Sequence, residues 1–307
     1  MKHLTRLMDL SSEEIRDILN LADQLKYETK HNIPHPHLQG KTLGMIFEKV
    51  STRTRVSFEA GMYQLGGHAL FLSSKELQMF RGEPVEDTAR TLSRYVSGLM
   101  IRAFDQGEVD SFARYAGIPV INGMTDFAHP CQVLADLMTI REYKGSLEGL
   151  KMAYIGDGNN MCNSLIVGAL QTGMRISVAC PKGYEPAPEV LVFAEKYGDA
   201  FELTHDPLKA AENADDVQTD VWVSSGMESQ SEQRHRDFAG YGVTAEVMAA
   251  AREDAILQHP LPAHRGEEIS GELFEAHAGE IFDEAENRLH AQKAVLMKLL
   301  GGEGVRV

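Results

Sequence analysis

Cysteine is scarce in this chain of 307 residues. Only Cys131, Cys162 and Cys180 occur, which argues against a disulfide framework and for a reducing, cytoplasmic setting. Proline and glycine, 11 and 27 residues, are too few for a fibrous or disordered chain. No apolar run approaches the ~18–20 residues that cross a membrane. The first residues, Met1 to Leu7, lack the apolar stretch and small-residue cleavage site of a signal peptide. Positive charge is in deficit: 30 Lys and Arg against 45 Asp and Glu give a net charge of −15. That balance disfavours nonspecific binding to nucleic acid or to an anionic membrane. If the ligand is itself an anion, positive charge must be concentrated locally against the average.

Hydrophobic residues, at 43%, suffice for a buried core, and the length fits two ordinary domains. Helix and strand patterns alternate along the chain. Ser11 and Glu14 form the Ser-x-x-Glu signature of a helix start, after which Ile15, Ile18, Leu19, Ala22 and Leu25 recur at helical spacing. Strands are expected at 41–47, 68–72, 98–104 and 119–121, with a helix over 56–65 stopped by Gly66-Gly67 and a long helix over about 130–143. After Gly145 the alternation restarts, with strands expected at 151–155, 175–180, 201–204, 221–224, 255–259 and 280–282, and a last helix over 287–300. The expected fold is α/β, two doubly wound parallel-sheet domains joined by long helices. The boundaries fall at 1–135 and 136–286, and the helical segment 287–307 packs back on the first domain. The run His31 to His37, with three histidines and two prolines, reads as an exposed, proline-stiffened turn rather than a metal site.

The local concentration of positive charge lies at Ser51-Thr52-Arg53-Thr54-Arg55, just after an expected strand and before an expected helix. Ligands of α/β sheets bind beyond the carboxyl ends of strands, and free N–H groups at a helix start attract anions. Three hydroxyls and two guanidinium forks add donors suited to phosphate oxygens. A helix cap alone would need one Ser or Thr, not three with two arginines.

This run, with Val56-Ser57-Phe58-Glu59 behind it, resembles the phosphate loop of the aspartate and ornithine carbamoyltransferases. Further motifs follow in the family's order over essentially the whole chain: Asp87-Thr88-Ala89-Arg90, Met100-Ile101-Arg102, His129-Pro130-Cys131-Gln132, Gly156-Asp157-Gly158-Asn159-Asn160, Asp220-Val221-Trp222-Val223-Ser224, His259-x-Leu261-Pro262 and Glu284 to Arg288. The ornithine branch is the better match. The resemblance implies attack of an uncharged amine on the carbonyl carbon of carbamoyl phosphate, with no metal, cofactor or covalent intermediate. It implies that Ser51, Thr52, Arg53 and Thr54 hold phosphate oxygens, with Thr54 also near the carbonyl oxygen. Arg102 bridges phosphate and carbonyl, His129 donates to the carbonyl oxygen, Gln132 orients the carbamoyl NH2, and Arg288, at the start of the last helix, reaches the phosphate side. Gln78 completes the site from an adjacent subunit of a homotrimer or a multiple of trimers. The amino acid, ornithine by first choice, is expected at Asn160, Asp220, Ser224, Ser225, Pro260 and Leu261, with Asp220 at a strand start on the α-amino group and Asn160 on the α-carboxylate.

Two positions depart from the ornithine pattern. Pro260 stands where that branch usually carries a cysteine, and Ser225 where it carries a methionine. Both fall among the acceptor residues, so the phosphate side is the firmer part of the reading. Three alternatives remain open at this point: another amine as acceptor, a catalytically weak paralogue, and a nicotinamide-dependent dehydrogenase suggested by Gly156-x-Gly158. The last is weakened by Met161, which occupies the third position of that fingerprint, where a glycine or alanine is needed.

Overall fold

The structure, a computed structural model, describes residues 1–301. The chain divides into two compact units, one made of Met1–Met138 together with the chain from Glu286 onward, the other of Thr139–Ala285.

The first unit carries β1 (Thr42–Phe47), β2 (His68–Ser73), β3 (Gly98–Arg102) and β4 (Val120–Met124), with helices α1 (Ser12–Lys30), α2 (Thr52–Gln64), α3 (Val85–Leu92), α4 (Gln106–Tyr115) and the start of α5 (Pro130–Lys144). The strands form one parallel sheet in the order β2-β1-β3-β4. β1, β3 and β4 are almost wholly buried apolar runs, as a parallel sheet covered on both faces requires. The N-terminal segment extends the β4 edge, with Leu4 N–H donating to Val120 O at 2.9 Å and Asn122 N–H donating to Leu4 O at 2.7 Å. α1 opens on the expected reciprocal cap, Glu14 N–H to Ser11 Oγ (3.1 Å) and Ser11 N–H to Glu14 carboxylate (2.9 Å). The chain visits β1 and β2, then returns to the other side of β1 for β3, so the sheet's topological switch point lies between β1 and β3.

The second unit carries β5 (Lys151–Ile155), β6 (Arg175–Ala179), β7 (Phe201–Thr204), β8 (Asp216–Thr219) and β9 (Ile256–Gln258), with α6 (Asn160–Gln171), α7 (Pro188–Ala194), α8 (Pro207–Ala211), α9 (Ser231–Asp237), α10 (Ala245–Ala250), α11 (Gly271–Ala276) and the start of α12 (Ala278–Leu300). Its parallel order is β7-β6-β5-β8-β9, with the switch point between β5 and β8.

Four sequence expectations are corrected here. The strand expected at 221–224 is β8, five residues earlier. Its sequence, Asp-Val-Gln-Thr, is polar yet buried, because Asp216 accepts from Gln218 and from Gln258 of β9, each at 3.0 Å. Burial pushes Asp216 up to about 7, against the two amide donors that favour its charged form. The stretch 280–282 is helical, lying in the first turns of α12, where Ile281 enters the core beside Leu257 and Phe274 while Phe282 stays exposed. α12 therefore begins at Ala278, and Arg288 stands well inside it rather than at its start. Finally, His35 is buried and not part of an exposed turn: its Nε2 lies 2.8 Å from Lys293 Nζ, which also donates to Thr29 and Gln64.

Candidate active site

Each unit gathers polar side chains at its own switch point. In the first unit α2 begins earlier than the periodicity predicts, at Thr52, so Ser51–Arg55 is the helix's first turn and not a loop before it. Ser51 is the cap: its Oγ accepts from Thr54 N–H at 3.2 Å and lies 3.1 Å from Thr54 Oγ1. Thr54 is fully buried, and its hydroxyl is shared by two guanidiniums, Arg102 Nη1 at 3.3 Å and Arg288 Nη2 at 3.2 Å. Arg102 is the last residue of β3, so it meets the start of α2 across the switch point. Arg288 Nη1 donates in turn to Gln132 Oε1, and Gln132 Nε2 donates to Asp136 at 2.8 Å. Gln292, with its amide oxygen turned toward Arg288, accepts from Nε and Nη2 at 3.1 Å.

The electrostatics follow from this crowding. Burial, then the charges of Arg288 and Arg53, depress Arg102 far below the ordinary guanidinium pKa. Burial, and then Arg288, Arg102 and Arg53, hold His129 well below the ordinary imidazole range, so it is neutral at neutral pH. His129 immediately precedes α5, whose first residue is Pro130, a position where the missing N–H of proline is harmless. A helix N-terminus, a neutral imidazole and three arginines that repel one another make a site that an anion would relieve.

Not all of the expected donors join this group. Arg55 turns to the outer face of α2, paired with Glu59 at 2.9 Å and lying 3.9 Å from the Phe71 ring centroid, and Thr52 is exposed. Gln78 opens the separate turn Gln78–Arg81.

In the second unit the loop after β5 and the residue after β8 meet. Asp220 therefore follows a strand's carboxyl end instead of opening a strand, which is the position α/β sheets use for ligands. Asn159 caps α6, accepting from Met161 and Cys162 N–H at 2.9 and 3.2 Å, and donates Nδ2 to Asp220 Oδ2 at 2.8 Å. Asp220 Oδ1 accepts its neighbour Val221 N–H at 2.8 Å. Burial raises the Asp220 pKa, while His259, Asn159 and Val221 oppose the rise. Asn160 is the buried first residue of α6. Ser224 and Ser225 lie further along the same segment, where Ser224 O closes a turn on Met227 N–H at 2.9 Å. Pro260 and Leu261 follow β9, and Leu261 adopts a left-handed φ of 57°, a strained conformation for a residue with a Cβ.

Three groups that the sequence reading left aside hold this region. Asn159 is one. The fully buried pair His259 Nε2–Glu268 Oε1, at 3.0 Å, is another; His259 Nδ1 accepts from Leu261 N–H at 2.9 Å, which puts the imidazole proton on Nε2. The third is the buried ion pair Arg234–Asp157 at 2.6 Å, in which Arg234 also donates to Trp222 O at 2.9 Å. Gly158, the second glycine of the supposed dinucleotide fingerprint, has another use. A Cβ there would come within 2.4 Å of backbone atoms of Tyr184, Glu185 and Pro186, and Gly158 N–H donates to Tyr184 O at 2.8 Å. The glycine admits a neighbouring chain segment, not a pyrophosphate.

Comparison with known proteins matches the chain in two successive parts. Residues 2–142 match the family described as aspartate/ornithine carbamoyltransferase, carbamoyl-P binding domain, and residues 148–299 match its Asp/Orn binding domain. The chain is 54% identical over 297 residues to an ornithine carbamoyltransferase of Carboxydothermus hydrogenoformans, covering 95% of this chain and 96% of that one. Among solved structures it is similar to the ornithine carbamoyltransferase of Pyrococcus furiosus (TM-score 0.93, 48% identity, 98% and 97% of the two chains). It is also similar to the anabolic ornithine carbamoyltransferase of Campylobacter jejuni (TM-score 0.92, 46% identity, 97% and 99%). With both parts matched over nearly its full length, the chain belongs to the aspartate/ornithine carbamoyltransferase family.

Proposed function

We propose that the protein transfers the carbamoyl group of carbamoyl phosphate to the side-chain amine of L-ornithine, giving L-citrulline and phosphate in arginine metabolism. The observation that carries the donor half is the clustering of Arg102 and Arg288 on the Thr54 hydroxyl at the start of α2, with Arg53 adding its charge. The names of the relatives favour ornithine as the acceptor.

In this reading Ser51, Thr52, Arg53 and Thr54 bind phosphate oxygens, and Arg102 spans phosphate and carbonyl. His129, neutral because it is buried among arginines, donates a hydrogen bond to the carbonyl oxygen without adding another charge. Gln132, held between Arg288 and Asp136, orients the carbamoyl NH2. A preorganised donor at a developing oxyanion is worth ~3–4 kcal/mol of barrier. The amine nitrogen bonds to the carbonyl carbon, the carbon–oxygen bond to phosphate breaks, and the proton lost by the amine balances on the departing phosphate. Asp220 takes the α-ammonium of the amino acid and Asn160 its carboxylate, with Ser224, Ser225, Pro260 and Leu261 around the side chain.

The same reading has a cytoplasmic homotrimer, or a multiple of trimers, in which Gln78 of one subunit completes the site of the next. Supporting it, β2 is an edge strand whose Leu70 and Phe71 are 39% exposed, and Phe80, in the Gln78–Arg81 turn, is 72% exposed. Among the described residues no helix is long and apolar enough to cross a membrane.

The test is a steady-state assay of carbamoyl phosphate with a panel of amines. Citrulline from ornithine is expected; another amine turning over well while ornithine gives nothing would remove ornithine from the proposal. Pro260→Cys is expected to keep or raise ornithine turnover, and a loss would mean that Pro260 defines a different acceptor. Sedimentation should return a trimer or a multiple of it.

A further inference from the structure

Near the acceptor loop, but outside the residues assigned to transfer, two histidines and two carboxylates converge. The segment after β9 closes a tight turn: Glu267 N–H donates to His264 O at 3.0 Å, Gly266 sits at φ 95°, and Gly266 N–H donates to Ile269 O at 2.8 Å. The turn sets His264 and Glu267 side by side. It is held from behind by Val243 N–H on Glu268 O at 2.8 Å, and Gly242 packs so closely that a Cβ would meet Glu267 O at 2.7 Å. One donor atom each of His264, Glu267 and Glu268 lies within 4.8 Å of the other two.

A fourth donor comes from α9. His235 gives its Nδ1–H to Ser231 O at 2.7 Å, so its neutral form presents the Nε2 lone pair, and that nitrogen is 3.0 Å from Glu267 Oε2. His264 Nδ1 is 3.6 Å from the same oxygen. Two acceptors brought so close need a proton or a cation between them. Tetrahedral zinc, with bonds of 2.0–2.2 Å, sets neighbouring N and O ligands ~3.3 Å apart, between the two separations seen here. A backbone carbonyl on the far ring nitrogen is also the usual support of a metal-bound histidine. Glu268 is fully buried: Oε1 accepts from His259 Nε2 and His264 N–H (2.6 Å), while Oε2 has no hydrogen-bond partner among the described residues.

We propose that His264, Glu267 and Glu268, with His235 of α9 set against the Glu267 carboxylate, form a binding site for a zinc-class divalent ion that ties α9 to the turn 264–268. The imidazole-rich donor set selects zinc-like ions over magnesium or calcium. No step of carbamoyl transfer passes through this ion. Its effect is to fasten two segments of the acceptor region, since α9 follows Ser224–Gln230 and the turn follows His259–Pro262.

Calorimetric titration of metal-free full-length protein with zinc chloride tests this. One tight equivalent per chain is expected. It should weaken at least ~10-fold in His264→Ala and in His235→Ala, the loss typical when a supporting group of a zinc site is removed. Both histidines are partly exposed, at 47% and 40%, so the variants should fold, which circular dichroism checks. His37→Ala, at an exposed histidine elsewhere, should leave the titration unchanged. Binding should also weaken as pH falls, because zinc must displace the proton between His235 and Glu267. Superposable titrations of wild type and the two histidine variants, or no tight equivalent in the wild type, would reduce the cluster to an ordinary ion pair and overturn the proposal.

Discussion

Replacing Asp220 with asparagine separates charge from shape in the acceptor region. Asp220 Oδ2 is engaged by Asn159 and Oδ1 by Val221 N–H, which leaves each oxygen one further lone pair for an incoming ammonium. At ~3 Å and an effective dielectric constant of ~20 the gross attraction is ~5 kcal/mol. After desolvation, a charge-assisted hydrogen bond retains a net ~1.5–3 kcal/mol. Asp220→Asn is thus expected to raise the KM for ornithine ~10–150-fold while leaving that for carbamoyl phosphate within ~2-fold, at 1.4 kcal/mol per decade. Citrulline formation at saturating carbamoyl phosphate reads the first, and the converse titration reads the second. Equal losses for both substrates would refute the assignment of Asp220 to the amino acid. Stability supplies an independent check. Burial raises the folded pKa of Asp220 above its ordinary 3.8, so the folded state binds more protons than the unfolded state just above that value. The wild type therefore loses stability relative to Asp220→Asn as pH rises from 3.8 through the folded pKa. Denaturation midpoints of the two proteins, compared across that range, should diverge in the variant's favour.

Thr54→Val removes the oxygen shared by Arg102 and Arg288 without changing the side chain's shape; carbamoyl phosphate KM should rise by ~10-fold or more, at ~1.5–3 kcal/mol per charged hydrogen bond, and an unchanged value would dissolve the proposed cluster. Gly158→Ala forces a Cβ into the backbone of Tyr184–Pro186 and should destabilise the protein by ~1–3 kcal/mol in urea, with nicotinamide cofactor binding neither the variant nor the parent. Glu108 is raised to about 7 by burial and by Glu48, beyond which Asp105 adds its charge. Its folded pKa lies above the unfolded 4.5, so its contribution is full below pH 4.5 and is lost as pH rises through about 7. Glu108→Gln should flatten that part of the stability profile, and a profile parallel to the wild type's would show that another group is titrating.

The parts of the site legible in the sequence are those whose partners are close along the chain or whose chemistry is unusual. Ser51 to Thr54 announced themselves because three hydroxyls and an arginine at a helix start exceed what capping needs. Asn159 did not, because its partner Asp220 is 61 residues away and Asn-Asn reads equally well as a turn. Glu268 carries no local mark of its place either, because its partner His259 lies outside its own turn and the carboxylate is fully buried against it. β8 was misplaced because hydropathy favours the run from Val221, whereas the true strand hides its polarity in side-chain bonds between Asp216, Gln218 and Gln258. Arg288 carried no local signal; only its place in the Glu284–Arg288 motif marked it, and α12 turned out to start ten residues before it.

The interrupted first unit has a consequence for how the protein is made. Its two stretches flank the whole of the second unit, so at ~5–20 residues per second the ribosome spends roughly 7–30 s on Thr139–Ala285 before the missing piece emerges. Until then Thr54 lacks Arg288, and Thr29, His35 and Gln64 lack Lys293. The second unit, continuous in the chain, can complete itself during synthesis. The arginine cluster around Thr54 can assemble only after Arg288 has followed the whole of the second unit out of the ribosome, so the proposed phosphate grip forms after the proposed acceptor side has been made.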